Sequence, residues 1–472
     1  MRRPLSPVWL AISEARHGNF GARLGWLALC GIPLSLGLGR FWHIYVARGD
    51  GVPYPYRSIA LTVTDALVGL TCAGWLAWRW RSRPRPGMPR GTGFVLLALA
   101  LLAVAAGASI VSAYDRRLAL GITAELAVLV VFFLAASELM AVFPHRWLRV
   151  GVAVAVVGQS LLAGWQAVAQ TTAPAGMLFN GWAGELTSRD QGASVVILPI
   201  VGRWLRSYGS FPHPNILGGF LALSLAVLAV HMDPRRRRLG MVALTMGFAA
   251  LLLAFSRAAW LAILLGGVTM LLLAPGRWRT MPSARARLGV TVAASALVFF
   301  ALLRISSLGS LIEQNSIETR AFYNLVASQV ITRGIPVGAG NLVVAQQHLI
   351  GAASAGSEPA HNVFVIVLAE LGLVGVVALM SIIGSLLFAA WVRRAEPQQR
   401  AGPLVAVAVL APLLLFDHYL WTQPAGRILC VWALSLLASK AAERDQQAHG
   451  RATTAAVRVT RFRMRSKEAN AR

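Results

Sequence analysis

Arginine and histidine are the residues of this chain whose types and spacing could do chemistry. His361 and Asn362 stand at the head of a long apolar run, with Glu370 about two and a half helical turns further on. Arg206 opens the block Arg206-Ser207-Tyr208-Gly209-Ser210-Phe211-Pro212-His213-Pro214-Asn215. Arg257 closes Phe255-Ser256-Arg257, and Arg320 closes Asn315-Ser316-Ile317-Glu318-Thr319-Arg320. Guanidinium is charged at any working pH and grips phosphate with two parallel donors. Imidazole can accept a proton near neutral pH. Several arginines near helix ends beside a histidine therefore describe a pocket for an anionic headgroup with a reacting centre next to it. An arginine at bilayer depth costs about 2.5–3.5 kcal/mol, to be offset by a carboxylate such as Glu318 or Asp417, by snorkelling to headgroups, or by a bound anion. His213, His348 and His418 are expected on the same side and compete with His361 as proton acceptor.

What holds these residues is an apolar scaffold. The chain has 57% hydrophobic and 13% charged residues, about half the charge of a soluble domain. Its mean hydropathy is +0.63. Apolar runs long enough for a bilayer core recur, and such runs are read as helices. The expected fold class is an all-α polytopic membrane protein of about twelve spans. They fall roughly at 24–42, 58–78, 92–112, 118–140, 147–169, 213–231, 239–255, 258–274, 288–305, 362–390, 402–416 and 425–439. The first run lacks a following small-residue cleavage pattern and reads as a retained helix.

The organisation follows from these runs. Residues 1–23 form a basic N-terminal segment, 24–169 an N-terminal set of membrane helices, 170–440 a second membrane domain with a large external loop at 306–361, and 441–472 a basic tail. The net charge of +26 would point to nucleic acid in a soluble protein. Here most basic residues fall on alternate loops, the positive-inside pattern, which puts both termini in the cytoplasm and excludes nucleic acid as a partner. The tail reads as an orientation signal or a contact with anionic membrane lipid. Cys30, Cys72 and Cys430 lie in apolar runs without metal or redox spacing. A phosphate-binding GxxxxGK[ST] loop is missing, which disfavours an ATP-driven pump. Asp65, Glu125 and Glu138 fall inside expected spans; such carboxylates are either functional or neutral, hydrogen-bonded packing groups, and with no partner evident in the sequence the packing reading is preferred.

Local signals refine the loops. Prolines 212 and 214 prevent regular helix around His213, and Asn215 reads as the cap of the helix that follows. Asn315 with Glu318 has the form of a capping box, so a helix is expected to start there. Its apolar residues Ile317, Phe322, Leu325, Val326 and Val330 suit a membrane surface. Gly334, Pro336, Gly338 and Gly340 mark a turn, and a second short helix is expected over Leu342 to Leu349.

In order and spacing, the Arg206–Asn215 block, Phe255-Ser256-Arg257, Arg320, Pro336-Val337-Gly338-Ala339-Gly340, His361-Asn362 with Glu370-Leu371-Gly372, and Phe416-Asp417-His418-Tyr419-Leu420-Trp421 resemble the O-antigen ligase and polymerase superfamily. The resemblance covers about residues 150–440; residues 1–150 match in hydropathy only. It implies a GT-C-like helical glycosyltransferase of the bacterial inner (plasma) membrane, acting on the external, periplasmic side. The donor would be a glycan on undecaprenyl diphosphate, and the acceptor a hydroxyl of lipid A core, a second glycan repeat, or a protein. By similarity Arg206 and Arg320 would hold the diphosphate, with Arg257 assisting, and His361 would take the proton. His213, Asn215, Asn362 and Glu370 are secondary candidates. Neither a metal nor another cofactor is expected. Lipid A core, and thus a ligase, is favoured because a single His-Asn pair follows one dominant loop. The reading from a different class is a transporter of lipid-linked glycans. That would need an internal repeat, and none is evident.

Overall fold

The computed structural model describes residues 20–38, 42–47, 55–81, 88, 91–173, 185–232, 237–273, 301, 311–350, 358–395 and 397–439. The expected span 288–305 (apart from residue 301), the tail 441–472, most of segment 1–23 and part of the loop 306–361 lie outside them.

The order is α1 (Phe20–Ser35), β1 (Trp42–Val46), β2 (Ser58–Leu61), α2 (Val63–Arg81), α3 (Thr92–Ser109), α4 (Arg116–Val142), α5 (Arg146–Ala169), β3 (Val195–Leu198), β4 (Gly202–Leu205), α6 (Pro214–His231), α7 (Arg237–Leu253), α8 (Arg257–Leu273), α9 (Leu311–Ile331), α10 (Leu342–Ile350), α11 (Val363–Val392), α12 (Pro397–Phe416), α13 (Tyr419–Thr422) and α14 (Pro424–Ala438). Among the described residues, six helices are long and apolar enough to cross a membrane: α3 with its 3-10 extension, α4, α5, α6, α11 and α12. Shorter apolar helices are α1, α7, α8 and α14. The protein is membrane-embedded and mostly helical, since in hydrocarbon a helix bonds its own backbone within one segment.

Two features depart from an all-α chain. β1 pairs antiparallel with β2, and β3 with β4. Trp42 and Ser58, expected inside spans, are strand partners of Leu61 and Val46. The first helix therefore ends at Ser35, just before glycines 37 and 39, which favour a helix end. Helix α9 also begins at Leu311, so Asn315 sits inside it and not at its cap. The capping-box pattern is local, whereas this helix continues back through residues that carry no turn signal.

The core is centred on α6. Its apolar sequence presents no polar face, and 94% of it is buried against α5, α7, α8, α12 and α14, as expected for a helix that is hydrophobic all round. Three carboxylates in the outer helices, Glu138 buried and Glu125 and Asp65 half-buried, have specific partners. Glu138 pairs with Arg79 and accepts from Trp75 Nε1 at 2.9 Å. Glu125 forms a two-pronged pair with Arg427, at 2.8 and 2.6 Å. Asp65 accepts from the Thr62 amide and hydroxyl at 2.7 and 2.6 Å, closing the start of α2. Hydrogen-bonded packing therefore accounts for all three, with arginine as the counter-charge in two cases.

Candidate functional site

The site lies where α6 and α11 begin and α12 ends. The segment Arg206–Asn215 reaches it along a fixed path. Gln166 of α5 accepts from the Tyr208 and Gly209 amides at 2.9 and 2.8 Å and donates to the Gly209 carbonyl at 2.7 Å. Gln159, two turns earlier, accepts from the Ser210 amide at 2.9 Å. The two glutamines lie seven residues apart and so share one face of α5. They satisfy backbone that the prolines and Gly209, at φ 58°, keep out of helix.

Arg206 is buried and donates, among its contacts, to the Ala254 carbonyl at 2.9 Å, Ser194 Oγ at 2.8 Å and Asn215 Oδ1 at 2.6 Å. Asn215 is therefore not the cap expected from sequence. His213 is the cap, its Nδ1 accepting from the Asn215 amide at 3.2 Å. The asparagine side chain turns to Arg206, because a buried guanidinium needs acceptors more than a helix end needs a second one.

His361 packs edge-on against His418, with ring centroids 4.8 Å apart, and His418 in turn against Tyr56 at 5.5 Å. One ring nitrogen of His361, Nδ1, is buried with no hydrogen-bonding partner among the described residues. Burial lowers the His361 pKa to about 4; the charge of Arg320 adds to the depression and the Pro359 backbone opposes it. His213 is held well below the usual imidazole range by burial, then by Arg206, His361 and Arg320. His418 is depressed by burial, His361, His213 and Arg320. All three rings are thus neutral at pH 7. Asp417 moves the other way: burial raises it to about 6, against the His418 amide, Arg320, Asn215 and Arg206. Glu358 is also raised by burial and lowered by Arg320. Arg320, on α9, therefore acts on both carboxylates and all three rings, and Arg206 on His213 and Asp417.

Asn362 caps α11, accepting from the Phe364 and Val365 amides at 2.9 and 3.3 Å. Glu370 lies in the wall beneath the histidines and organises the loop. Its Oε2 accepts from the Gly340 amide and Trp421 Nε1, both at 2.8 Å, and its Oε1 from the Leu342 amide at 3.1 Å. Helix α11 is broken at Gly372, φ 70°, which frees the carbonyls of Ala369 and Glu370 to accept from Val337 at 3.0 Å and Gly338 at 3.1 Å. The turn also binds the end of α3 and the head of α4. Asn341 Oδ1 accepts from the Asp115 amide at 2.7 Å, and Ala339 donates to Ser109 Oγ at 3.1 Å.

Arg206, His213, Asn215, Arg320, His361 and Asn362 thus belong to one end of the bundle, and Glu370 supports them. Arg257 is exposed at the start of α8, after Phe255 at φ 47°, and is not among the charges that shift these rings. His348 stacks on Tyr114 at 5.4 Å, apart from the histidine group. Tyr56 and Glu358 are site residues that sequence reasoning missed. Tyr56 follows Pro53 and Pro55 between the first two apolar runs. Glu358 sits three residues before His361, which was the available signal.

No family model matches the chain, and no curated protein matches it. The resemblance to the O-antigen ligase superfamily rests on the residues named above.

Proposed function

We propose that the protein is an O-antigen ligase-like glycosyltransferase with a GT-C-like fold of about twelve spans, working on the external face of a bacterial inner membrane. Its donor is a glycan on undecaprenyl diphosphate and its acceptor a hydroxyl, that of lipid A core being favoured. The observation that carries the reading is a neutral imidazole, His361, with an unpartnered buried Nδ1, beside an arginine whose charge acts on it.

In the reaction the acceptor oxygen attacks the anomeric carbon of the donor sugar. The bond from that carbon to the diphosphate oxygen breaks, and the electron pair leaves with undecaprenyl diphosphate. The acceptor proton passes to His361. Arg206 and Arg320 stabilise the charge gathering on the diphosphate, a contribution larger in a water-poor site than in solution. A base with a pKa near 4 is weak. An arriving diphosphate dianion counters Arg320 and raises that pKa toward the working range, so donor binding itself prepares the base. Asp417, raised to about 6, is a competing acceptor for this proton. Arg257 would contact more distant parts of the substrate. A transporter is less well supported, because the central helix α6 is packed on all sides among the described residues.

The test is transfer in proteoliposomes, using a lipid-diphosphate-linked glycan, candidate acceptors, and the His361→Ala and Arg320→Ala variants. Product from the wild type, reduced by about 100-fold or more in both folded variants, is expected. Donor binding without product for any acceptor would reject the enzyme reading.

A further inference from the structure

At the far end of α6 from the histidines lies a second opening. A cavity of about 220 Å3 is lined by Arg146, Arg149, Val150, Ala153, Leu228, Met232, Leu239 and Gly240. The helix between His213 and His231 separates it from the histidines by about 25 Å at 1.5 Å per residue. The two sites thus sit at opposite ends of one membrane-length helix. Only the first has been given a role.

We propose that this cleft holds the headgroup of an anionic membrane phospholipid. Arg146 and Arg149 line a cavity whose other walls are apolar, the division of a lipid into phosphate and chain. Arg149 is fixed by donating to the His231 carbonyl at 3.2 Å. The Arg146 guanidinium lies over the Trp147 ring, 5.2 Å from its centroid. At roughly 30 Å3 per water the cavity has room for a phosphate and part of a glycerol but not for acyl chains. These leave over the exposed apolar strip of Val150, Val154 and Val242. A free phosphate would satisfy the arginines and leave that strip uncovered, so the lipid is the occupant the cleft fits. Basic pockets between membrane helices recognise anionic headgroups in this way.

The experiment uses the full chain in detergent, titrated with short-chain phosphatidylglycerol, phosphatidylcholine or glycerol phosphate, for wild type and Arg146→Gln. Thermal unfolding and direct binding are read together. Phosphatidylglycerol should bind and raise the unfolding midpoint. Arg146→Gln should weaken that binding about fivefold, the effect of one basic residue, and Arg146→Lys should restore most of it. The variant's unfolding midpoint without lipid should stay at the wild-type value, which separates loss of a site from loss of fold. Equal binding of phosphatidylcholine, equal binding of glycerol phosphate, or unchanged phosphatidylglycerol binding in Arg146→Gln would each overturn the assignment.

Discussion

Glu370→Gln is the substitution whose cost follows most directly from the geometry. The carboxylate accepts three donors, two on Oε2 and one on Oε1. Glutamine is nearly the same shape but has one accepting oxygen. Placed to keep the Gly340 and Trp421 bonds, it turns its amide nitrogen toward the Leu342 N–H. One buried donor is then left without an acceptor, at about 1–3 kcal/mol. The two surviving bonds lose their charge assistance, about 1 kcal/mol together. The segment around the turn should therefore open more easily by about 2–4 kcal/mol, about thirtyfold or more in its opening equilibrium. Hydrogen exchange of the full chain in detergent reads this directly. Amides of residues 337–342 should exchange at least thirtyfold faster in the variant, while those of α6 stay as in the wild type. Exchange within twofold of the wild type at 337–342 would refute the argument, as would an equal acceleration throughout the protein.

Three further outcomes are expected. Arg320→Gln removes the second cause of the His361 depression and leaves burial, the first, so the imidazole should titrate above about 4 yet below its ordinary 6.5; NMR of labelled histidine measures this, and an unchanged or lower value would count against the pairing. A Cβ added at Gly219 would overlap the Tyr419 hydroxyl and lie 2.6 Å from its Cζ, so Gly219→Ala should cost about 1–3 kcal/mol in unfolding, with partial recovery when Tyr419→Phe is added. Arg427→Met strands Glu125 and should destabilise the fold by about 3 kcal/mol, whereas adding Glu125→Met should return most of it; thermal unfolding of the two variants provides the comparison, and equal losses would show that the pair is not what the residues contribute.

Long apolar runs made the helices legible. The span expected at 118–140 is α4 at Arg116–Val142, and that at 147–169 is α5 at Arg146–Ala169, because a bilayer-length run permits little else. The hairpins were not legible, since hydropathy carries no pairing information and strands of four or five residues leave little alternation to read. Distant partners were hidden for a related reason. Nothing near Glu125 announces Arg427, 302 residues away. The break at Gly372 was concealed by the apolar residues on both sides, and it appears only once the turn that uses its carbonyls is in place. Of the site, the arginines and histidines could be named from their types. Asp417 was visible as a neighbour of His418, but its burial among two arginines and an asparagine arises from three separate elements meeting.

The broken helix α11 sets limits on transplanting the loop. A chimaera meant to exchange this loop with that of another protein would naturally be cut at the ends of residues 306–361. That cut separates the Pro336–Asn341 turn from Ala369, Glu370 and the Gly372 break, from Ser109 at the end of α3 and Asp115 at the head of α4, and from Trp421. These distant pieces form one module in space, although the chain visits them far apart. A graft should carry all of them together, and one that moves the loop alone should lose its anchor before its specificity can be tested.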